Sequence, residues 1–318
     1  MTLRRGPGEA RLLLPILLAA PFLAQLDATI ANVGIPSIRS SLHTSGAAAE
    51  LVIGGYLVAY AVLLITGARL GQTHGYKRLF VFGVTVFAGM SLVAGLAPNA
   101  LVLVVARVAQ GSGAAMMFPQ AMTGIQLNFT GPARTRAIGH YAIALSTGAV
   151  VGQIVGGALI MANIAGTGWR AIFLINVPIC LVVIATAMRF LPTDAKRGEA
   201  RLDLIGAATL SVSVLLVVLP LTLGPGQGWP EWTWLSLAAT IPTFWLFLRI
   251  QRRAMATGRA VLINVKFVSR APIALGLIAL AMATGTYYAL LFTLAQYMQQ
   301  GQRSSPLVSG LTPSCQDS

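Results

Sequence analysis

Long apolar runs, separated by short polar or charged breaks, dominate the chain. Nine are long enough to cross a bilayer, which takes roughly 17–25 mostly apolar residues as a helix. They are Leu12–Val33, Leu51–Leu70, Leu79–Leu96, Ala100–Met122, Ala137–Met161, Ala171–Leu191, Leu204–Leu223, Trp232–Ile250 and Ala271–Tyr297. Pro21, Pro119, Pro178 and Pro242 fall inside these runs, as membrane helices allow where neighbours re-satisfy the backbone. The first run follows Arg4 and Arg5, but it exceeds the apolar core of about 7–15 residues of a cleaved signal peptide. It reads as a retained signal-anchor helix. The pattern predicts an all-α polytopic membrane protein.

Composition agrees. Of 318 residues, 56% are hydrophobic and 9% charged, with a mean hydropathy of +0.77, whereas soluble domains carry about 25% charged residues. A disordered protein and a soluble enzyme of ordinary make-up are excluded. The net charge of +14 would suggest nucleic acid only if it formed one face or stripe. Here the cations lie between apolar runs. With the N-terminus inside, eighteen of the 22 Lys and Arg fall in inner segments, and only Arg39, Arg170 and Arg303 in outer ones. Arg107 lies within a span. This bias predicts a cytoplasmic N-terminus and, after nine crossings, an outer C-terminus. The preference for Arg over Lys, with abundant Ala and Gly, suggests a GC-rich bacterial genome and so a bacterial cytoplasmic membrane.

Two charged segments mark boundaries, Pro192–Asp203 and Gln251–Arg270. The expected organisation is a six-helix bundle over 1–191, a two-helix insertion with basic cytoplasmic linkers over 192–270, and a further helix with a polar tail over 271–318. Gly224–Trp234 is a short outer loop with tryptophans suited to the interface. Cys180 and Cys315 form no ligand cluster, and no metal site is expected; Cys180, inside an apolar run, reads as a small hydrophobe. No span or loop gathers a nucleophile, a base and an orienting acid, and no Walker sequence is present, so neither an enzyme nor ATP-driven transport is expected.

Asp27 is the one acid well inside an expected span, where burial penalises its charged form. Counted back from Pro36, it lies about 10 Å below the outer end of its helix. Arg107, seven residues into the fourth run, is about as deep, so the two can pair. A proton arriving on Asp27 would break the pair and bias one conformation over another. The plain alternative is a static ion pair that fixes helix packing. Gln25, Asn32 and Gln110, each within nine residues of this pair, are the expected pathway residues. Gln120, Gln126, Asn163, Asn176 and Gln296 are further polar positions in or beside spans. Gly148, Gly152 and Gly156 form a small-residue stripe beside Gly157, suited to close helix packing.

Several stretches resemble the drug:proton antiporter branch of the major facilitator superfamily, the branch with two extra helices between its six-helix bundles. They are Leu26–Pro36 (LDATIANVGIP) in the first helix, Gly67–Arg78 (GARLGQTHGYKR) after the second, Arg107–Ala115 (RVAQGSGAA) in the fourth, Gly148–Gly157 (GAVVGQIVGG) in the fifth, and Trp169–Pro178 (WRAIFLINVP). The resemblance implies export of lipophilic drugs or antibiotics driven by the proton motive force, with no other cofactor. It implies a proton-carrier role for Asp27 and a relay or gate role for Arg107. It also implies that the fifth-helix stripe seals the meeting of two halves. The chain departs from the pattern at Gln153, where proline is usual, and at Gln72 and Thr73, where an acid and an arginine are usual. Gly67, Gly71 and Gly75 keep the tight turn, and Lys77 and Arg78 the inner charge; without the acid, a charge lock between halves cannot form there. The family continues with five more helices after the ninth, so the expectation is that this chain alone does not transport. The alternative is a non-transporting assembly partner or half-transporter that needs a second chain, or a homo-oligomer. Expected partners are therefore the lipid bilayer and a small lipophilic substrate, and no nucleic acid.

Overall fold

The computed structural model describes residues 7–163, 166–193, 203–257, 261–262 and 265–296, and among these there is no strand. In a lipid environment every backbone polar group needs an internal partner, which the helix supplies. The helices are α1 (Pro7–Leu42), α2 (Gly46–His74), α3 (Tyr76–Gly95), α4 (Ala100–Asn128), α5 (Gly131–Ala162), α6 (Ala171–Leu174), α7 (Asn176–Phe190), α8 (Leu204–Leu223), α9 (Glu231–Ala256), α10 (Val265–Val268) and α11 (Ala271–Gln296). Eight stretches among the described residues are long and apolar enough to cross a membrane, with a 3-10 turn, α6 and α7 together making Gly168–Phe190. The ninth expected run is helical as α11. Its described apolar stretch, Ala271–Ala283, is shorter, and Tyr297 lies outside the described residues.

Local chemistry sets the ends. Ser45, Asn99 and Asp203 cap α2, α4 and α8 by accepting from the N–H groups of Ala48, Val102 and Gly206. Gly75, at φ 91°, reverses the chain between α2 and α3, a backbone conformation glycine adopts freely. The sixth run is interrupted at Ile175, because Pro178 lacks an N–H and crowds the carbonyl four residues before it. Pro36 does not end the first helix, which runs on to Leu42. Asp27 is therefore fifteen residues from that end, about 22 Å at 1.5 Å per residue, and not the shallower depth the sequence implied.

α1 packs along α5, and α4 along both α2 and α3, with α7 closing against α3. Two buried apolar clusters fill the bundle, one around Leu17, Phe80, Phe87 and Met117, the other around Ile30, Leu103, Ile172 and Phe173. α8 lies against α2 and pairs with α9, and Leu210, Phe247 and Leu262 form a small separate cluster that Ile65 joins.

Candidate functional site

Between the two apolar clusters sits a fully buried polar one. Asp27 of α1 and Arg107 of α4 form an ion pair, the one salt bridge among the described residues, with both side chains at 0% exposure. Arg107 Nη1 donates to Asp27 Oδ2 and, at 2.8 Å, to Gln110 Oε1, while Nε donates to the Val52 carbonyl of α2 at 3.0 Å. Gln110 Nε2 donates to Asp27 Oδ1 at 2.8 Å and to Ser91 Oγ of α3 at 2.7 Å. Asn176 Nδ2, at the start of α7, donates to the same Asp27 Oδ1 at 2.9 Å. The Arg107 guanidinium also lies 4.3 Å from the Tyr56 ring centre and 5.4 Å from that of Phe173, within cation–π range. Tyr56 is itself anchored by its hydroxyl, which donates to the Ala24 carbonyl at 3.1 Å.

The carboxylate on α1 thus takes its ligands from α4 and α7, while α2 and α3 hold those of α4 in place. Oδ1 receives two neutral amide donors and Oδ2 the guanidinium, so both carboxylate oxygens are hydrogen-bonded by protein groups. Arg107 Nη2 and Asn176 Oδ1 are buried without a hydrogen-bond partner among the described residues. Such polar groups, desolvated at the centre of an apolar bundle, are expensive.

The structure brings together Asp27, Arg107 and Gln110, and leaves Gln25 and Asn32 outside. Two residues along a helix is about 200° of rotation, which turns Gln25 away from Asp27; Gln25 is half-buried near Gly148, and Asn32 is exposed. Sequence reasoning did not assign Ser91, Tyr56 or Phe173, and counted Asn176 only among general polar positions. A polar side chain inside an apolar run was the available signal for Ser91 and Asn176. Nothing local marks Tyr56 or Phe173. Gln120 instead donates to the Gly67 carbonyl at 2.9 Å, and Asn163 ends α5 in a left-handed backbone conformation while its Oδ1 accepts from Gly168 N–H at 2.9 Å. Gln126 is exposed, and the side chain of Gln296 lies outside the described residues. Glu50 also lies on a helix, since α2 begins at Gly46; its carboxylate packs against Gly226 and its Oε2 is buried without a hydrogen-bond partner among the described residues.

The glycine stripe of α5 packs within the same bundle. A Cβ at Gly148 would lie 2.6 Å from the Phe22 carbonyl oxygen, at Gly152 2.6 Å from that of Leu26, and at Gly156 2.8 Å from the Ile30 side chain. These three α1 residues flank Asp27, so the stripe seats α1 on α5. A Cβ at Gly157 would meet nothing within 4 Å, and Gln153 is exposed. In the loop motif, Gly67 lies against the Ala115 backbone and Gly71 against the Gln120 side chain. Lys77 Nζ donates to the Met188 carbonyl at the end of α7 at 2.7 Å, and Arg78 is exposed. Arg69 Nη1 donates to Gln72, the residue that replaces the expected acid, at 2.9 Å. Its Nη2 reaches the Val261 and Leu262 carbonyls.

Known proteins place this arrangement. The chain is 35% identical over 300 residues to the probable actinorhodin transporter of Streptomyces coelicolor, covering 94% of this chain and 52% of that protein. It is 31% identical to the tetracenomycin C resistance and export protein of Streptomyces glaucescens, covering 93% and 55%. It is 30% identical to the drug efflux pump JefA of Mycobacterium tuberculosis, covering 91% and 56%. The chain spans about half the length of the curated relatives it matches. Among solved structures, a bacterial homologue of the human lysosomal transporter Spinster, inward-facing and unoccupied, shares the fold with a TM-score of 0.52 at 20% identity, covering 75% of this chain and 60% of that one. Over residues 17–315 the chain matches the family model of the Major Facilitator Superfamily, and it belongs to that family.

Proposed function

We propose that the protein serves proton-coupled export of lipophilic, antibiotic-type compounds across the bacterial cytoplasmic membrane, with its N-terminus in the cytoplasm. In this reading Asp27 carries the proton and Arg107 is the gate. The observation that carries it is the fully buried Asp27–Arg107 pair between α1 and α4, held by hydrogen bonds to Val52 of α2, Gln110 of α4 and Asn176 of α7. A proton that bonds to Asp27 Oδ2 removes the acceptor of the Arg107 Nη1 bond and leaves a net positive charge in the bundle. That charge change favours an arrangement in which Arg107 is hydrated, which is what a switch between two conformations needs. Export of antibiotic-type compounds is supported by what the relatives' names say of those proteins.

Alternating access rocks two bundles around a site at their interface. The described helices build one bundle, a helix pair and α11, so the reading assigns the second wall to a further bundle. The test compares the chain alone with the chain joined to the C-terminal half of the probable actinorhodin transporter, each in proteoliposomes with an imposed pH gradient. Ethidium efflux is expected from the joined protein only, and D27N should abolish its dependence on the gradient. Efflux from the chain alone would overturn the need for a second wall. Unchanged coupling in D27N would overturn the proton-carrier role.

A further inference from the structure

The basic end of α9, with α10 beside it, does more than orient the chain. We propose that it forms a binding site for the phosphate headgroup of an anionic phospholipid in the leaflet it faces. Between positions 249 and 270 the sequence holds Arg249, Arg252, Arg253, Arg259, Lys266 and Arg270, and no Asp or Glu. Arg252 lines a cavity of about 400 Å³ between the end of α9 and α10, with Met255, Ala256, Val265 and Ser269. A guanidinium and a hydroxyl suit a phosphate, and the three apolar side chains suit the glycerol and the first methylenes behind it. The guanidinium fork matches phosphate oxygens in a way an ammonium does not.

Nothing acidic competes for these cations among the described residues. Asp203, which Gln251 holds beside the end of α9, is occupied: Oδ1 accepts from Gly206 N–H at 2.8 Å and Oδ2 from Gln251 Nε2 at 2.6 Å. Gln251 Oε1 in turn accepts from Leu262 N–H at 2.8 Å, and Arg69 holds the Val261 carbonyl at 2.8 Å. These bonds hold Val261 and Leu262 against α2 and α9. Two exposed aromatic rings carry further guanidinium groups, Trp245 under Arg249 at 4.9 Å and Phe267 under Arg270 at 5.8 Å. A tryptophan ring such as Trp245 suits headgroup level. An orientation signal needs charge alone; it needs neither a cavity of mixed lining nor arginines held on rings. The occupant follows from place and charge: α9 is a spanning helix, its basic end lies at the membrane surface, and anionic lipid is the phosphate concentrated there.

The test is native mass spectrometry of the full chain, purified in detergent with equal phosphatidylglycerol and phosphatidylcholine. Wild type should retain phosphatidylglycerol preferentially, less so as salt is raised. The triple variant R252Q/R253Q/R270Q should lose that preference by about fivefold per arginine, the worth of one cation near an anionic surface. R78Q/R136Q/R189Q, which removes three exposed cations elsewhere, should keep it. Equal retention of the two lipids by wild type, a salt-insensitive preference, or the same loss in both triple variants overturns the proposal. Displacement of the lipid by millimolar inorganic phosphate would show a simple anion site and overturn it too. Should the triple variant fail to purify, R252Q alone is read against the same outcomes.

Discussion

Breaking the buried ion pair from either side should cost far more than removing it whole. In D27L the Arg107 guanidinium keeps the Val52 and Gln110 acceptors and two aromatic faces, but loses its counter-charge. Removing one partner of a buried pair costs about 3–5 kcal/mol, and the remaining neutral partners put this variant at the lower end, about 3 kcal/mol. In R107L, Asp27 keeps the amides of Gln110 and Asn176, both on Oδ1, while Oδ2 loses its guanidinium. Two neutral donors on one oxygen compensate less, so the expected loss is about 4 kcal/mol. The double variant D27L/R107L leaves no uncompensated charge, and such replacements are often neutral or stabilising. The coupling within the cycle should therefore be about 7 kcal/mol, the sum of the two single losses, well beyond the roughly 0.5–3 kcal/mol of ordinary neighbouring residues. Cys180 is a fully buried free thiol, so in a Cys315→Ser background its labelling during an SDS titration reports unfolding of the bundle. Losses in the double variant equal to the sum of the two singles would refute the reasoning, because they would show that the two side chains do not depend on each other.

Two further predictions use the same titration or a simpler one. G152A drives a Cβ into the Leu26 carbonyl and the Thr29 hydroxyl and should destabilise by about 1–3 kcal/mol, whereas G157A meets nothing within 4 Å and should be neutral or stabilise by up to about 1 kcal/mol through helix propensity; equal effects would show that α5 does not seat on α1 through this stripe. R69A frees the Val261 and Leu262 carbonyls and should speed tryptic cleavage within 249–270 relative to cleavage after Arg134 and Arg136, with an unchanged ratio counting against the tie.

The spans and the pairing of Asp27 with Arg107 were legible because both rest on one-dimensional signals: apolar run length, and a lone acid and a lone base inside such runs. Depth along the helix was not, since Pro36 looks like a terminus and is not one. Angular position was harder still. Gln25 and Asn32 are close to Asp27 in sequence and on other faces in space, while Asn176, 149 residues away, touches it. The spacing of Gly148, Gly152 and Gly156 announces a close contact, but which helix fills it depends on the whole bundle. Here it is α1, which carries the acid.

Lipid-embedded apolar helices gain little stability from a charge pair at their centre, because the desolvation of two ions offsets most of their attraction. Ridges, glycine contacts and the two apolar clusters already specify how α1 to α7 pack. The buried cluster therefore asks for another explanation than cohesion, and its composition supplies one. Among the described residues every ligand of Asp27 other than Arg107 is a neutral amide, so the charge balancing the carboxylate there comes from α4. A proton is the smallest change that cancels that balance, and it acts on the helix pair that meets through α1 and α4. If D27L/R107L proves as stable as wild type, stability cannot account for the presence of the pair, and the difference it makes must lie in which arrangement of the helices is populated.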